Sequence, residues 1–208
     1  MKKYVLGCGG LIVLLVLVTL IGGCNIYNGL VSTSQNVDSK WAQVQNVYQR
    51  RFDLIPNLVN TVQGAANFEK STITEVTQAR ASVGQVKIDP NKAPSDPEQL
   101  RKFQQAQDQL SGALSRLLVV AERYPELRAT QNFSELQAQL EGTENRISVE
   151  RKNFNDAVLA YNVSVQRFPG LVFARMFGFT PKPYFQAETG AAQAPKVQFD
   201  FGKPATNK

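Results

Sequence analysis

Residues 97–124 read PEQLRKFQQAQDQLSGALSRLLVVAERY, and this stretch decides the fold. Leu100, Phe103, Gln107, Leu110, Leu114, Leu117, Ala121 and Tyr124 recur at alternating steps of three and four, the spacing of one helix face. Ser95 and Glu98 have capping-box spacing, and Pro97 suits a first helical turn, so a helix starts here. Pro125 ends it or bends it.

The same spacing continues on both sides. Upstream, Val37, Trp41, Val44, Tyr48 and Ile55 mark a helix from about Val31 to Phe52. Pro56 disfavours helix at Ile55, and Asp53 is a cap candidate, so a kink or turn is expected there. A second helix follows from about Leu54 to Val83 along Val59, Val62, Ala66, Ile73 and Val76, with Gly84 as a stop signal. The prolines of Asp89–Pro97 mark a loop. Downstream, Leu136, Leu140, Thr143, Ile147, Phe154, Ala157, Tyr161 and Val165 mark a helix from about Phe133 to Phe168, closed by Pro169-Gly170. The predicted fold is all-α: an up-and-down bundle of four helical segments over residues 31–185. A short apolar helix, Leu171 to Phe177, is expected to cap one end. Residues 186–208 read as a flexible, disordered tail. Within it, Val197, Phe199 and Phe201 alternate with polar residues, which suits a strand-like contact segment or a fold-back onto the bundle.

Residues 1–30 form the expected membrane anchor. Tyr4 to Ile26 carries no charge, and as a helix it covers about 34 Å, enough for a bilayer core of about 30 Å. Lys2 and Lys3 precede it, and the first charges beyond it, Asp38 and Lys40, cancel. The bulk of the chain is therefore expected outside the cytoplasm, on the periplasmic or cell-surface side. Two readings of the anchor stay open. One is a retained transmembrane helix. The other is a lipoprotein signal peptide cleaved before Cys24, since Leu20-Ile21-Gly22-Gly23-Cys24 resembles a lipobox with Cys24 as the candidate lipidation site.

Composition removes several classes of chemistry. The 208 residues contain no histidine, and the two cysteines, Cys8 and Cys24, share one apolar run. Histidine-based metal sites, serine or cysteine triads and disulfide frameworks are excluded. The net charge of +6 comes from 23 basic and 17 acidic residues that are interleaved, which argues against a nucleic-acid surface. The 19 glutamines and 14 asparagines supply polar faces without charge.

Arg50-Arg51-Phe52-Asp53-Leu54-Ile55-Pro56-Asn57-Leu58-Val59 resembles the N-terminal signature of the LemA family. Glu69, Ala79-Arg80, Tyr124-Pro125-Glu126-Leu127 and Phe133 follow in the family's order. Thr143-Glu144-Asn145-Arg146-Ile147, Arg151, Asn155, Tyr161-Asn162 and Phe168-Pro169 resemble its second signature. The resemblance spans residues 25–185 and implies a membrane anchor followed by a helical bundle. It brings no active site with it. Three positions depart from the family pattern: Ala65 where tyrosine is frequent, Phe68 where histidine is frequent, and Glu150 where alanine is frequent.

Arg51, Glu69, Arg80 and Glu150 fall in register with the apolar stripes, and charges there are rarely buried unless paired. They are expected to form an ion-pair network that fixes register. Asn57 and Asn145-Arg146 are expected beside the Pro56 break as a notch or as capping residues. Arg50, Arg51, Asp53, Pro56, Asn57, Glu69, Arg80, Glu144, Asn145 and Arg146 are thus the candidate structural and interaction residues. No catalytic, cofactor or metal site is expected. The functional expectation is a membrane-tethered, non-enzymatic scaffold that contacts other envelope proteins or itself; the alternative is a small-molecule, lipid or peptide binder with a polar site inside the bundle.

Overall fold

The computed structural model describes the backbone of residues 2–65 and 68–186, and the side chains of Leu17, of 20–65 and of 68–186. Six helices make up this part: α1 (Lys2–Gln63), α2 (Lys70–Gln85), α3 (Pro97–Ala121), α4 (Pro125–Arg128), α5 (Gln131–Gln166) and α6 (Gly170–Phe177). There is no strand among the described residues.

The break expected at Asp53–Pro56 lies elsewhere. Helix α1 runs through Pro56 to Gln63, and the chain turns after it at Gly64 and Ala65. An internal proline costs a helix about 3 kcal/mol. Ile55, Leu58 and Val62 are all fully buried, and each such burial contributes roughly 1.5–3 kcal/mol. Their combined gain outweighs the proline, so the helix continues. The cap of α3 also moves by one residue: Asp96, not Ser95, accepts the Glu98 backbone N–H at 2.9 Å.

Cross-contacts set the direction of each helix. Phe52 meets Arg80, and Trp41 meets Asp89, so α2 runs against α1. Glu75 meets Arg116, and Glu69 meets Arg123, so α3 runs against α2. Asp38 meets Lys182 and Arg51 meets Glu144, so α5 and the segment after it run against α1. α1, α2, α3 and α5 therefore alternate in direction, with α1 packed closest on α5 and α2 on α3.

Two apolar cores fill this arrangement. One gathers Leu30, Val37, Trp41, Val44, Phe103, Phe154, Tyr161 and Val165 near the α6 end. The other gathers Ile55, Leu58, Val62, Val76, Leu110, Leu117, Leu127 and Phe133 at the opposite end. Tyr48 and Ile55 belong to different cores, and Arg51 lies between them in α1.

No helix among the described residues is long and apolar enough to cross a membrane. Most side chains of the run read as the anchor, and the tail from Ala187 onward, lie outside the described residues. Gln186, which the sequence places at the start of that tail, is anchored by hydrogen bonds to Gln104 and Arg151.

Candidate functional site

Arg51 is the one arginine or lysine among the described residues that is fully buried, at 2% exposure. It sits on the stripe of α1 between Tyr48 and Ile55, so its guanidinium enters the boundary between the two cores. One amino group donates to Ser111 Oγ at 2.7 Å and to Glu144 Oε2 at 2.8 Å. The other donates to the Gln107 side-chain oxygen, and to the Gln107 backbone carbonyl at 3.3 Å. Its Nε has no hydrogen-bond partner. The Tyr48 ring lies 5.1 Å from the guanidinium carbon. Burial pushes the Tyr48 hydroxyl up to about 12, against the pull of Arg151 and Arg51. A charged guanidinium inside a helical bundle is thus held by one carboxylate, two amide oxygens and a hydroxyl from α3 and α5.

The expected pairing of Arg51 with Glu69 and Arg80 does not occur. Glu69 lies at the far turn, half-exposed, 3.0 Å from Arg123. Arg80 lies over the Phe52 ring at 3.9 Å and donates from Nε to the Phe52 carbonyl at 3.4 Å. That carbonyl is the one Pro56 leaves without a helical partner, because proline has no N–H to return to position i−4. Arg80 therefore supplies the donor that Pro56 lacks. Glu150 is half-buried on α5 and accepts from Asn153 at 3.1 Å.

Arg50, Asp53 and Asn57 line a shallow open notch of about 580 Å³ on α1 with Gln139 of α5. Gln49 donates to Asp53 at 2.7 Å at its rim. Asn145 and Arg146 are exposed on α5, outside this notch. Glu144 alone of that trio reaches inward.

A second polar arrangement holds the chain after α6. Residues 179–186 run extended along the bundle, and three side-chain amides each grip one backbone unit. Asn162 accepts the Lys182 N–H at 2.8 Å and donates to its carbonyl at 2.9 Å. Asn155 does the same for Phe185 at 2.9 and 3.1 Å. Gln104 does so for Gln186 at 3.2 and 3.0 Å. Each amide offers one donor and one acceptor, so each closes a ring with the backbone as a neighbouring strand would. Tyr161 donates to the Thr180 carbonyl at 3.0 Å, and the Phe185 ring stacks on Trp41 in the core. Asp38 fastens two connections at once. It accepts the Ala93 N–H at 3.0 Å and the Lys182 ammonium at 2.7 Å. The spacing of Asn155 and Asn162, two turns apart beside Phe154 and Tyr161, is the signal in the sequence that marks these amides.

No cluster of three or more acids or cysteines among the described residues could hold a metal ion.

The LemA family profile matches residues 40–199, which takes in all of these positions except Asp38. The chain belongs to the LemA family. It is 27% identical over 187 residues to magnetosome protein MamQ 1 of Paramagnetospirillum magneticum, covering 82% of this chain and 68% of that one. It is likewise 27% identical over 188 residues to the MamQ protein of Magnetospirillum gryphiswaldense, covering the same shares. The protein LemA of Metamycoplasma hominis is 21% identical over 141 residues, 68% of this chain and 60% of its own length.

Two departures from the LemA pattern, Ala65 and Phe68, meet at the α1–α2 turn. Phe68 is buried against the Tyr124 ring at 4.9 Å, a place with no use for a titrating imidazole. Ala65 lines an open cleft of about 690 Å³ between that turn and α4, with Asn60, Arg123, Tyr124 and Leu127. Cys24 is exposed on α1 as a free thiol.

Proposed function

We propose that this LemA protein is a membrane-tethered, non-enzymatic scaffold, its bundle outside the cytoplasm in contact with other envelope proteins or with copies of itself. The observation that carries this reading is the continuity of α1. One helix runs from Lys2, through the apolar run, to Gln63 at the far end of the bundle. Any orientation the run takes in a membrane is therefore imposed on the bundle. The relatives named as magnetosome proteins support membrane association.

The packing around Cys24 favours a retained helix over cleavage. Gly23, which cleavage before Cys24 would remove, lies against the Phe173 ring. The interior favours structure over ligand binding, because four of the Arg51 hydrogen bonds end on the protein itself. The binding reading rests on the open cleft beside Tyr124, which is large enough for a small molecule or a peptide turn.

In-cell crosslinking of the full chain, followed by mass spectrometry, separates the two. A scaffold yields discrete protein adducts at the outer faces of α1 and α5. A bound small molecule that survives native mass spectrometry, with no protein adduct, supports the alternative and rejects the scaffold.

A further inference from the structure

We infer that α6 is a second membrane contact, a short helix laid on the lipid surface beside the point where α1 emerges. The inference rests on the anchoring of α1 proposed above and adds a surface that the anchor does not require.

Phe168, Val172 and Met176 recur every four residues and face outward, and Phe177, next to the last, stays half-exposed beside Tyr27. Phe168 is 78% and Met176 67% exposed, while Gly170 and Ala174 face the bundle. An outward apolar stripe of this kind is the reverse of what a solvated surface helix presents.

The helix is held where it is by close fits on two sides. A Cβ on Gly170 would run into the carbonyl oxygen of Ser164, so glycine alone permits the tight join from α5. A Cβ on Gly23 would meet the Phe173 ring at 3.1 Å, so glycine there lets α6 press onto α1. Tyr27 stacks edge-on with Phe177 at 4.9 Å and with Phe179 at 5.9 Å. The stripe is thereby fixed level with residues 23–27, the end of the apolar run, where Leu20 and Ile21 are also exposed.

Charge at this end has one sign. Neither 4–37 nor 157–187 contains an acidic residue, while Arg167 and Arg175 are exposed, each next to a residue of the stripe in sequence. Lys182 is committed to Asp38. Apolar side chains flanked by arginines match an anionic bilayer surface, with rings and thioether at the acyl boundary and guanidinium groups among the headgroups.

The test uses the full chain with Cys8→Ser and Cys24→Ser, carrying one fluorescent label at Leu14→Cys, Met176→Cys or Val149→Cys. Each is reconstituted in vesicles of phosphatidylcholine and phosphatidylglycerol. Val149 is exposed on α5 away from this end and serves as the aqueous control. The expected result is loss of emission at Met176→Cys with a lipid quencher placed near the headgroup, and protection there from aqueous iodide. Iodide quenching at Met176→Cys as strong as at Val149→Cys overturns the inference. Protection from both quenchers also overturns it, since that means cover by protein, such as the tail or a second copy. A label at Leu14→Cys that no lipid quencher reaches rejects the anchoring itself, whereas lipid quenching at Leu14→Cys alone leaves the anchor standing and rejects α6. Equal protection of Met176→Cys in phosphatidylcholine alone removes the role given to Arg167 and Arg175.

Discussion

At the scale of single residues, the bundle spends its one buried guanidinium on position rather than on chemistry. Replacing Arg51 by methionine keeps the volume but leaves the Gln107 side-chain oxygen without its donor, while the Gln107 backbone carbonyl keeps its helical N–H. An unsatisfied buried group costs about 1–3 kcal/mol, so Arg51→Met is expected to lower stability by about that much in denaturant unfolding. Glu144 is half-exposed, and water can replace the carboxylate, so Glu144→Gln should cost under about 1 kcal/mol. A large loss from Glu144→Gln and none from Arg51→Met would reverse this assignment. Glu69→Gln is expected to be near neutral, because its partner Arg123 is also exposed.

Tyr48 gives the layer a pH signature. Its hydroxyl is raised to about 12 by burial, so the folded state keeps a proton that the unfolded chain gives up near 10. That stability is fully present below pH 10 and is lost as pH rises toward 12, roughly 2–3 kcal/mol in all. Unfolding midpoints of Tyr48→Phe should fall less steeply than wild type across this window. Charges on an apolar stripe are legible in the sequence as a group, but which of them is buried is not. Arg51, Glu69, Arg80 and Glu150 have the same register, and only the packing of the facing helices separates the buried one from the rest: Glu150, deep inside α5, is half-buried while Arg51 is fully buried.

At the scale of elements, Pro56 and Arg80 form a unit. The proline opens one backbone carbonyl, and an arginine from the facing helix donates to it at 3.4 Å while covering the Phe52 ring. Arg80→Ala should cost about 1 kcal/mol or more, from the lost hydrogen bond and the lost ring contact. Pro56→Ala returns the helical N–H, so Arg80→Ala should cost less in that background. A double-mutant cycle with no coupling would show that the two act separately. The strap at 179–186 makes a parallel case. Asn155→Ala should remove both hydrogen bonds to Phe185 and speed amide exchange at residues 185 and 186 relative to α3. Exchange unchanged there would mean that the Phe185 ring, not the amide, holds the strap.

Helix α3 is legible almost residue for residue, since its stripe is regular and strong cap and proline signals flank it. The course of α1 is not, because a local proline rule points to a turn while tertiary burial of Ile55, Leu58 and Val62 decides for helix. The strap leaves no periodic trace in its own residues; its only mark is the two-turn spacing of Asn155 and Asn162 on α5. Extended chain bound by side-chain amides looks, in sequence, like loop next to a polar helix face.

At the scale of the whole molecule, two apolar cores are stacked along one long helix, with a guanidinium layer between them and an apolar, basic end near residue 23. Four alternating helices follow from the stripes and short connections. The stacking follows from Arg51, whose neighbours in α3 and α5 only the folded chain reveals. The central claim is that this body is fixed to a membrane by α1 and faces away from the cytoplasm. The direct measurement labels Val149→Cys, in the Cys8→Ser and Cys24→Ser background, with a membrane-impermeant maleimide on spheroplasts, followed by carbonate extraction. The account predicts labelling of intact spheroplasts and recovery of the labelled chain in the membrane pellet. Labelling only after lysis, or release of the chain into the carbonate supernatant, would contradict it.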